Sequence, residues 1–152
     1  LTSMSLFNRL KNCVVHETGK IISSFDCVYD SISISDELRK MLLIEESEYY
    51  YLYNKKERDE FLFRLFKFVC IGGEICQFES DINAYFNFTK SLYKNLISVK
   101  KDTVSDSITV ISQVYEIKCY DTAGNLVYPA STEHINTFGY LIFTFESGIP
   151  KI

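Results

Sequence analysis

The chain has 152 residues and a formal net charge of −4, from 16 Lys and Arg against 20 Asp and Glu. This length fits a single domain, 1–152, able to bury roughly two-thirds of its unfolded surface with no disulfide or metal staple. With 15% aromatics (12 Phe, 11 Tyr, no Trp), 6 Gly and 2 Pro, the composition excludes intrinsic disorder and collagen-like or linker sequences.

Weak helical patterns cover residues 4–13 and 36–43, the second with Ser35 as its expected cap. Tyr49-Tyr50-Tyr51-Leu52-Tyr53 is ambiguous between a helix end and a strand. The clearest element is a helix over 55–71, where Asn54 as N-cap and Glu57 three residues later suit a capping box. Asp59 and Glu60 place negative charge near the positive end of its dipole. Phe61, Leu62, Leu65, Phe66 and Val69 recur at helical spacing, and Phe63 and Phe68 lie off that stripe. A helix apolar almost all round is either central to a core or covered by a partner. Gly72-Gly73 is expected to end it with positive φ at C′.

The next helix is predicted over 81–97, capped by Ser80. Ile82, Tyr85, Phe86, Leu92, Tyr93 and Leu96 lie on one face, and Asn83, Asn87, Lys90 and Lys94 on the other. After Lys101 the period becomes two: Ile108 and Val110 alternate with polar residues, as do Tyr115, Ile117 and Cys119. The phase slips near Ser112-Gln113, which predicts a bulge or a break between strands. Asp121 to Asn125 reads as a turn into a strand over 126–128 that Pro129 ends. The last strand, 137–145, is apolar on both faces at Leu141, Ile142 and Phe143, which places it mid-sheet or under a helix. Helices first and strands afterwards predict an α+β fold, N-terminal helices packed on a C-terminal antiparallel sheet.

Charge is uneven: 1–34 is balanced, 35–60 is −3, 61–101 is +3 and 102–152 is −4. The basic surplus of Arg64, Lys67, Lys90, Lys94, Lys100 and Lys101 is too sparse for a nucleic-acid binder, which shows a dense basic stripe. The longest uncharged apolar stretch, 135–145, is too short to cross a bilayer as a helix. The reading therefore expects no nucleic acid and no membrane. Asn87-Phe88-Thr89 satisfies the glycosylation triplet, but no secretory signal accompanies it.

Five cysteines, Cys13, Cys27, Cys70, Cys76 and Cys119, include no C-x-x-C pair and have two histidines for company, His16 and His134. A structural zinc site brings closely spaced ligand pairs, so reduced, mostly buried thiols are the expectation and no metal site is assigned. The best enzymatic arrangement is a thiol nucleophile, Cys70 or Cys76, with His134 as base and Asp121 or Glu133 as orienter. A helix C-terminus disfavours the thiolate it needs. Gly72-Gly73 follows a helix instead of opening one, so it makes no phosphate loop. Asp121-x-x-Gly124 is too short for a calcium loop. Glu45-Glu46-x-Glu48 could dock a basic partner, although a solvated acidic segment is the simpler reading. The Phe and Tyr excess could feed an interaction surface, and core packing accounts for most of it equally well. No catalytic, cofactor-binding or metal residue is assigned.

Several segments together carry a resemblance. They are Ile34-Ser35-Asp36-Glu37-Leu38-Arg39 with Leu42-Leu43-Ile44-Glu45, and Arg58-Asp59-Glu60-Phe61-Leu62-Phe63 with Leu65-Phe66-Lys67. Gly72-Gly73-x-x-Cys76-Gln77, Lys94-Asn95-Leu96-Ile97-Ser98-Val99, Tyr120-Asp121-x-Ala123-Gly124 and Tyr128-Pro129 follow. In this order and spacing they closely resemble the cilia- and flagella-associated protein 300 family, over about residues 3–140. The resemblance implies a non-enzymatic protein, without cofactor, that acts in cytoplasmic pre-assembly and intraflagellar-transport-linked delivery of outer and inner axonemal dynein arms. It implies residence in the cytoplasm and the ciliary or flagellar axoneme. The implied partners are dynein-arm assembly factors including PIH-domain co-chaperones, with axonemal dynein subunits and intraflagellar transport machinery beside them. Family chains also extend beyond both ends of this sequence, so 1–152 is expected to be the C-terminal part of a longer family member. A structural axonemal component and a thiol-dependent hydrolase or transferase are the alternatives.

Overall fold

The computed structural model describes residues 3–72, 79–146 and 149–151. Helices and antiparallel strands in small sheets make the fold α+β. The chain divides into two compact units, Ser3–Leu92 and Tyr93–Ile152.

The first unit opens on a 3-10 helix, Met4–Leu10, capped by the Ser3 hydroxyl, which accepts from Ser5 N–H. The predicted 4–13 helix stops at Leu10, and Asn12 turns the chain with φ 62°. Strands β1 (Ser23–Tyr29) and β2 (Ile32–Asp36) form an antiparallel hairpin that the periodicity reading did not find. Its two-residue turn, Asp30-Ser31, has φ of 47° and 66°, both in the left-handed region that matches the twist of a tight hairpin. Strand β2 alternates cleanly, Ile32, Ile34 and Asp36 buried and Ser33 and Ser35 exposed.

Helix α1 (Glu37–Leu43) is capped by Asp36, not by Ser35. One Asp36 oxygen accepts from Arg39 N–H at 2.7 Å while the other pairs with the Arg39 guanidinium, a double task that a serine hydroxyl cannot perform. The tyrosine run resolves into a short 3-10 turn, Tyr50–Leu52. The predicted capping box is present: Glu57 N–H donates to Asn54 Oδ1 at 3.0 Å, and Asn54 N–H donates to Glu57 Oε2 at 2.9 Å.

The helix expected over 55–71 is two helices, α2 (Lys55–Asp59) and α3 (Phe61–Ile71), because Glu60 adopts an extended ψ of 135°. Arg58 accounts for the break. Its guanidinium is committed to the carbonyls of Met41 (2.8 Å), Tyr50 and Tyr53 (3.3 Å), and lies 3.7 Å from the Tyr50 ring centroid. With α2 held there, α3 needs a new direction to bury Leu62, Phe63, Leu65, Phe66, Val69, Cys70 and Ile71. Of the two readings for an all-apolar helix, the core one holds for most of it: seven of the eleven residues of α3 are buried, and Phe61, Arg64, Lys67 and Phe68 are half-buried. Gly72 does not take positive φ; it is extended at φ −138°, and the C′ residue, 73, lies outside the described residues.

Helix α4 (Ile82–Leu96) is capped by Asp81, whose carboxylate accepts from Asn83 N–H at 2.9 Å, instead of Ser80. Its buried residues are Ile82, Tyr85 and Thr89; Phe86, Leu92 and Tyr93 are half-buried, and Leu96 is exposed. The expected apolar face therefore fades toward the C-terminal half.

Part of the aromatic surplus of the first unit is core packing. The Phe7 ring lies 4.4 Å from Phe66, 5.7 Å from Phe86 and 6.2 Å from Phe63, centroid to centroid, and Tyr53 stands 4.9 Å from Phe63. Such tilted and offset contacts add to the area these rings bury. The Tyr53 hydroxyl donates to the Leu6 carbonyl at 3.2 Å, and burial pushes its phenol pKa up.

The second unit holds small antiparallel sheets. Strand β3 (Val99–Lys101) pairs with β4 (Ile108–Val110), and β6 (Cys119–Tyr120) with β7 (Leu126–Tyr128). Strand β5 (Ser112–Glu116) pairs with β8 (Tyr140–Glu146), which also pairs with β9 (Ile149–Lys151). The phase slip at Ser112 is thus a break between strands belonging to different sheets. Ile117, expected within a strand, lies between β5 and β6. The last long strand takes the mid-sheet place its two-sided apolarity predicted, beginning at Tyr140 rather than 137.

Thr89 is fully buried in α4, and its hydroxyl has no hydrogen-bond partner among the described residues. A buried, unpaired hydroxyl costs stability that an isosteric methyl does not. Thr89→Val should raise the urea midpoint, by about 1 kcal/mol of stability, whereas Thr89→Ala, which also leaves a void, should not. A lower midpoint for the valine variant would show that the hydroxyl is partnered.

Candidate functional site

The most buried charged cluster of the described residues centres on Arg39. Its guanidinium pairs with Asp36, donates from Nε to the Cys70 carbonyl at 3.0 Å, and donates to the Tyr85 hydroxyl at 3.0 Å. Tyr85 passes the chain on, donating to the Glu79 carbonyl at 2.9 Å. Burial by itself would lower the Arg39 pKa; Asp36 outweighs it and holds the cation firmly charged. These hydrogen bonds all join one segment of the first unit to another. Asp36→Asn should cost about 3–5 kcal/mol in a denaturant titration, because it strands a buried cation. Asp36→Leu with Arg39→Met should recover much of that loss; equal damage in both variants would refute the pairing argument.

The members of the thiol arrangement are placed separately by the structure. Cys70 is 0% exposed in the last turn of α3, where the helix dipole opposes a thiolate. Cys70 lies in the first unit and His134 in the second, where His134 Nδ1 accepts from Asn136 N–H at 3.1 Å. Cys76 lies outside the described residues. Glu133 pairs with Lys118 at 2.7 Å, and the Lys118 ammonium holds its carboxyl below the usual range. Asp121 closes its turn by accepting from the backbone N–H groups of Ala123 (2.9 Å) and Asn125 (2.8 Å) and from the Asn125 side chain, leaving Gly124 at φ 84°. Asn125 and those amides hold the Asp121 carboxyl low. Among the described residues no cluster of His, Cys, Asp and Glu could hold a metal ion, and no helix is long and apolar enough to cross a membrane. A groove lined by Phe7, Leu10, His16, Ile82, Asn83 and Phe86 offers about 120 Å³, well below the size of an ordinary cofactor site. Alkylation followed by mass spectrometry should label exposed Cys119 first, Cys13 and Cys27 more slowly, and Cys70 only on unfolding. Rapid native labelling of Cys70 would reopen the enzymatic reading.

What the structure does display is unburied apolar surface. On β1, Phe25 is 93% exposed and Val28 74%. Between the pairs Ser23–Asp36 and Cys27–Ile34, β1 takes four steps against two on β2, a bulge that turns Phe25 outward. In the second unit Val99, Val104, Ile108, Tyr115, Tyr120, Val127, Tyr128 and Phe138 are all exposed. The periodicity reading singled out none of the β1 residues. The available signal was Ile32-Ser33-Ile34-Ser35 alternation preceded by Asp30-Ser31, a two-residue turn between apolar runs.

The acidic run expected near 45–48 is exposed at Glu45, Glu46 and Glu48. Tyr51, itself exposed, donates to Glu45 Oε1 at 2.9 Å, and that hydrogen bond pushes its phenol pKa up; Glu48 does the same to Tyr49 through its charge. Glu37 also acts on Tyr49, and Glu37 N–H donates to the Ile22 carbonyl at 2.9 Å, so this run, the start of α1 and the start of β1 are neighbours. Residues 23–48 carry seven acidic against two basic side chains, a net −5 in a chain of net −4. Both cations are engaged, Arg39 with Asp36 and Lys40 with Glu37 at 3.8 Å.

Against known proteins, the sequence pattern of the family described as cilia- and flagella-associated protein 300 matches residues 1–146. A protein of that name from Paramecium tetraurelia is 35% identical over 132 residues, 87% of this chain and 52% of that one. One from Chlamydomonas reinhardtii is 38% identical over 120 residues, 77% of this chain and 47% of that one. The chain thus spans about half the length of the curated relatives it matches. No solved structure matches it.

Proposed function

Since the chain belongs to the cilia- and flagella-associated protein 300 family, we propose that it is a non-enzymatic ciliary protein that works by protein–protein contact. Its role is in cytoplasmic pre-assembly of outer and inner axonemal dynein arms and their intraflagellar-transport-linked delivery. Its partners are dynein-arm assembly factors including PIH-domain co-chaperones, with axonemal dynein subunits and transport machinery as further contacts.

The family match over residues 1–146 carries this reading. Two features of the molecule support it. Exposed aromatic and aliphatic side chains on β1 and across the second unit are of the kind that anchors protein interfaces. The thiol of Cys70, one of the two candidate nucleophiles, is sealed in the core, while Cys76, the other, lies outside the described residues.

The experiment is loss of the protein from ciliated cells, with dynein arms counted in cross-sections by electron microscopy. Both outer and inner arms should be depleted, and the protein should be found largely in the soluble fraction. Normal arms would overturn the reading. Release only by high-salt extraction of axonemes, with arms intact, would favour a structural axonemal component.

A further inference from the structure

We infer that the free edge of β1 is a docking site for an extended, basic and apolar segment of a partner protein, which adds as a third strand to the β1–β2 hairpin. The hairpin is a two-stranded sheet in which β1 pairs with β2 alone among the described residues. One row of β1 backbone donors and acceptors therefore lies open for strand addition. β2 is anchored by buried Ile32, Ile34 and Asp36, which fixes the hairpin to the core.

Side chains on the open strand say what fits. Phe25, Val28 and Tyr29 supply exposed apolar area, with Phe25 at 93% turned out by the bulge. Asp26 is exposed on the same strand and Asp30 opens its turn, and the acidic run at Glu45, Glu46 and Glu48 extends the negative field past the start of α1. With a net of −5 over residues 23–48, the complementary occupant carries Lys or Arg between apolar residues.

A second copy of this chain is a poor occupant, because antiparallel β1–β1 pairing centred on the strand sets one Asp26 carboxylate against the other. Bulges and charges also protect edges from aggregation. A purely protective edge has no use for a Phe held 93% in solvent. The acid thus selects against self-association while the aromatic anchors a basic partner. This surface deepens the protein-contact reading above and rests on it, whichever assembly factor supplies the strand.

The test uses the full-length chain and a fluorescent Lys-Val octapeptide, with binding read by anisotropy at low and physiological salt. Wild-type protein should bind it, more weakly as salt rises, and should not bind the Glu-Val counterpart. Phe25→Ser and Asp26→Lys, both at exposed positions, should each weaken binding at least tenfold. Two further peptides, N-methylated on every Lys or on every Val, need no protein variant: strand addition requires that one of them lose binding, since alternate N–H groups face the edge. Three outcomes overturn the site: no binding of Lys-Val, equal binding of both charge types, or full binding by both N-methylated peptides. Self-association abolished by Phe25→Ser, without peptide binding, would make the occupant a second copy. Peptide binding and the dynein-arm count fail independently, so a negative result in one leaves the other standing.

Discussion

One buried guanidinium ties four parts of the first unit together. Arg39 sits in α1, pairs with the residue that ends β2, takes a carbonyl from the last turn of α3 and meets the Tyr85 hydroxyl of α4. Burying a cation is costly unless its partners are complete. That requirement is what makes the arrangement specific: moving any one element leaves a charge or a carbonyl unsatisfied in the core. The hairpin inherits its position from this cluster, because Asp36 is at once the last residue of β2, the cap of α1 and the counter-ion of Arg39.

Arg58 repeats the device at the other end of α1. Helices leave their final carbonyls unpaired, and here arginines from elsewhere in the chain satisfy them. Arg58 takes the Met41 carbonyl, and Arg39 takes that of Cys70. A cation is also favoured at the negative end of each helix dipole. With those termini held, the Phe7, Tyr53, Phe63, Phe66 and Phe86 rings pack around α3 and the first unit closes on itself. The second unit contrasts with it: its strands pair while large apolar side chains such as Val99, Ile108 and Tyr115 stay in solvent. That division of labour supports the proposed role in protein–protein contact.

Much of the fold was legible because it rests on local chemistry. The Asn54–Glu57 capping box, the all-apolar character of α3 and the mid-sheet place of β8 all follow from residues a few positions apart. The misses share a different cause. The break at Glu60 and the cap at Asp36 accompany long-range hydrogen bonds of Arg58 and Arg39 that no sequence window contains. The hairpin was missed because β1 itself does not alternate: its bulge shifts the pairing register between Ser23 and Cys27. The exposed Phe25 was illegible for the same reason, since a lone Phe in a strand reads as core until the partner strand shows which way it points.

The sequence by itself determined the family, the α+β class and the net acidity. These depend on residue identity and order along the chain. Only the tertiary structure decided which aromatics are core and which are surface, where the acid gathers beside an open strand, and that Cys70 is sealed. Those depend on which distant segments come into contact, and in the first unit two arginines help settle that by demanding partners from across the chain.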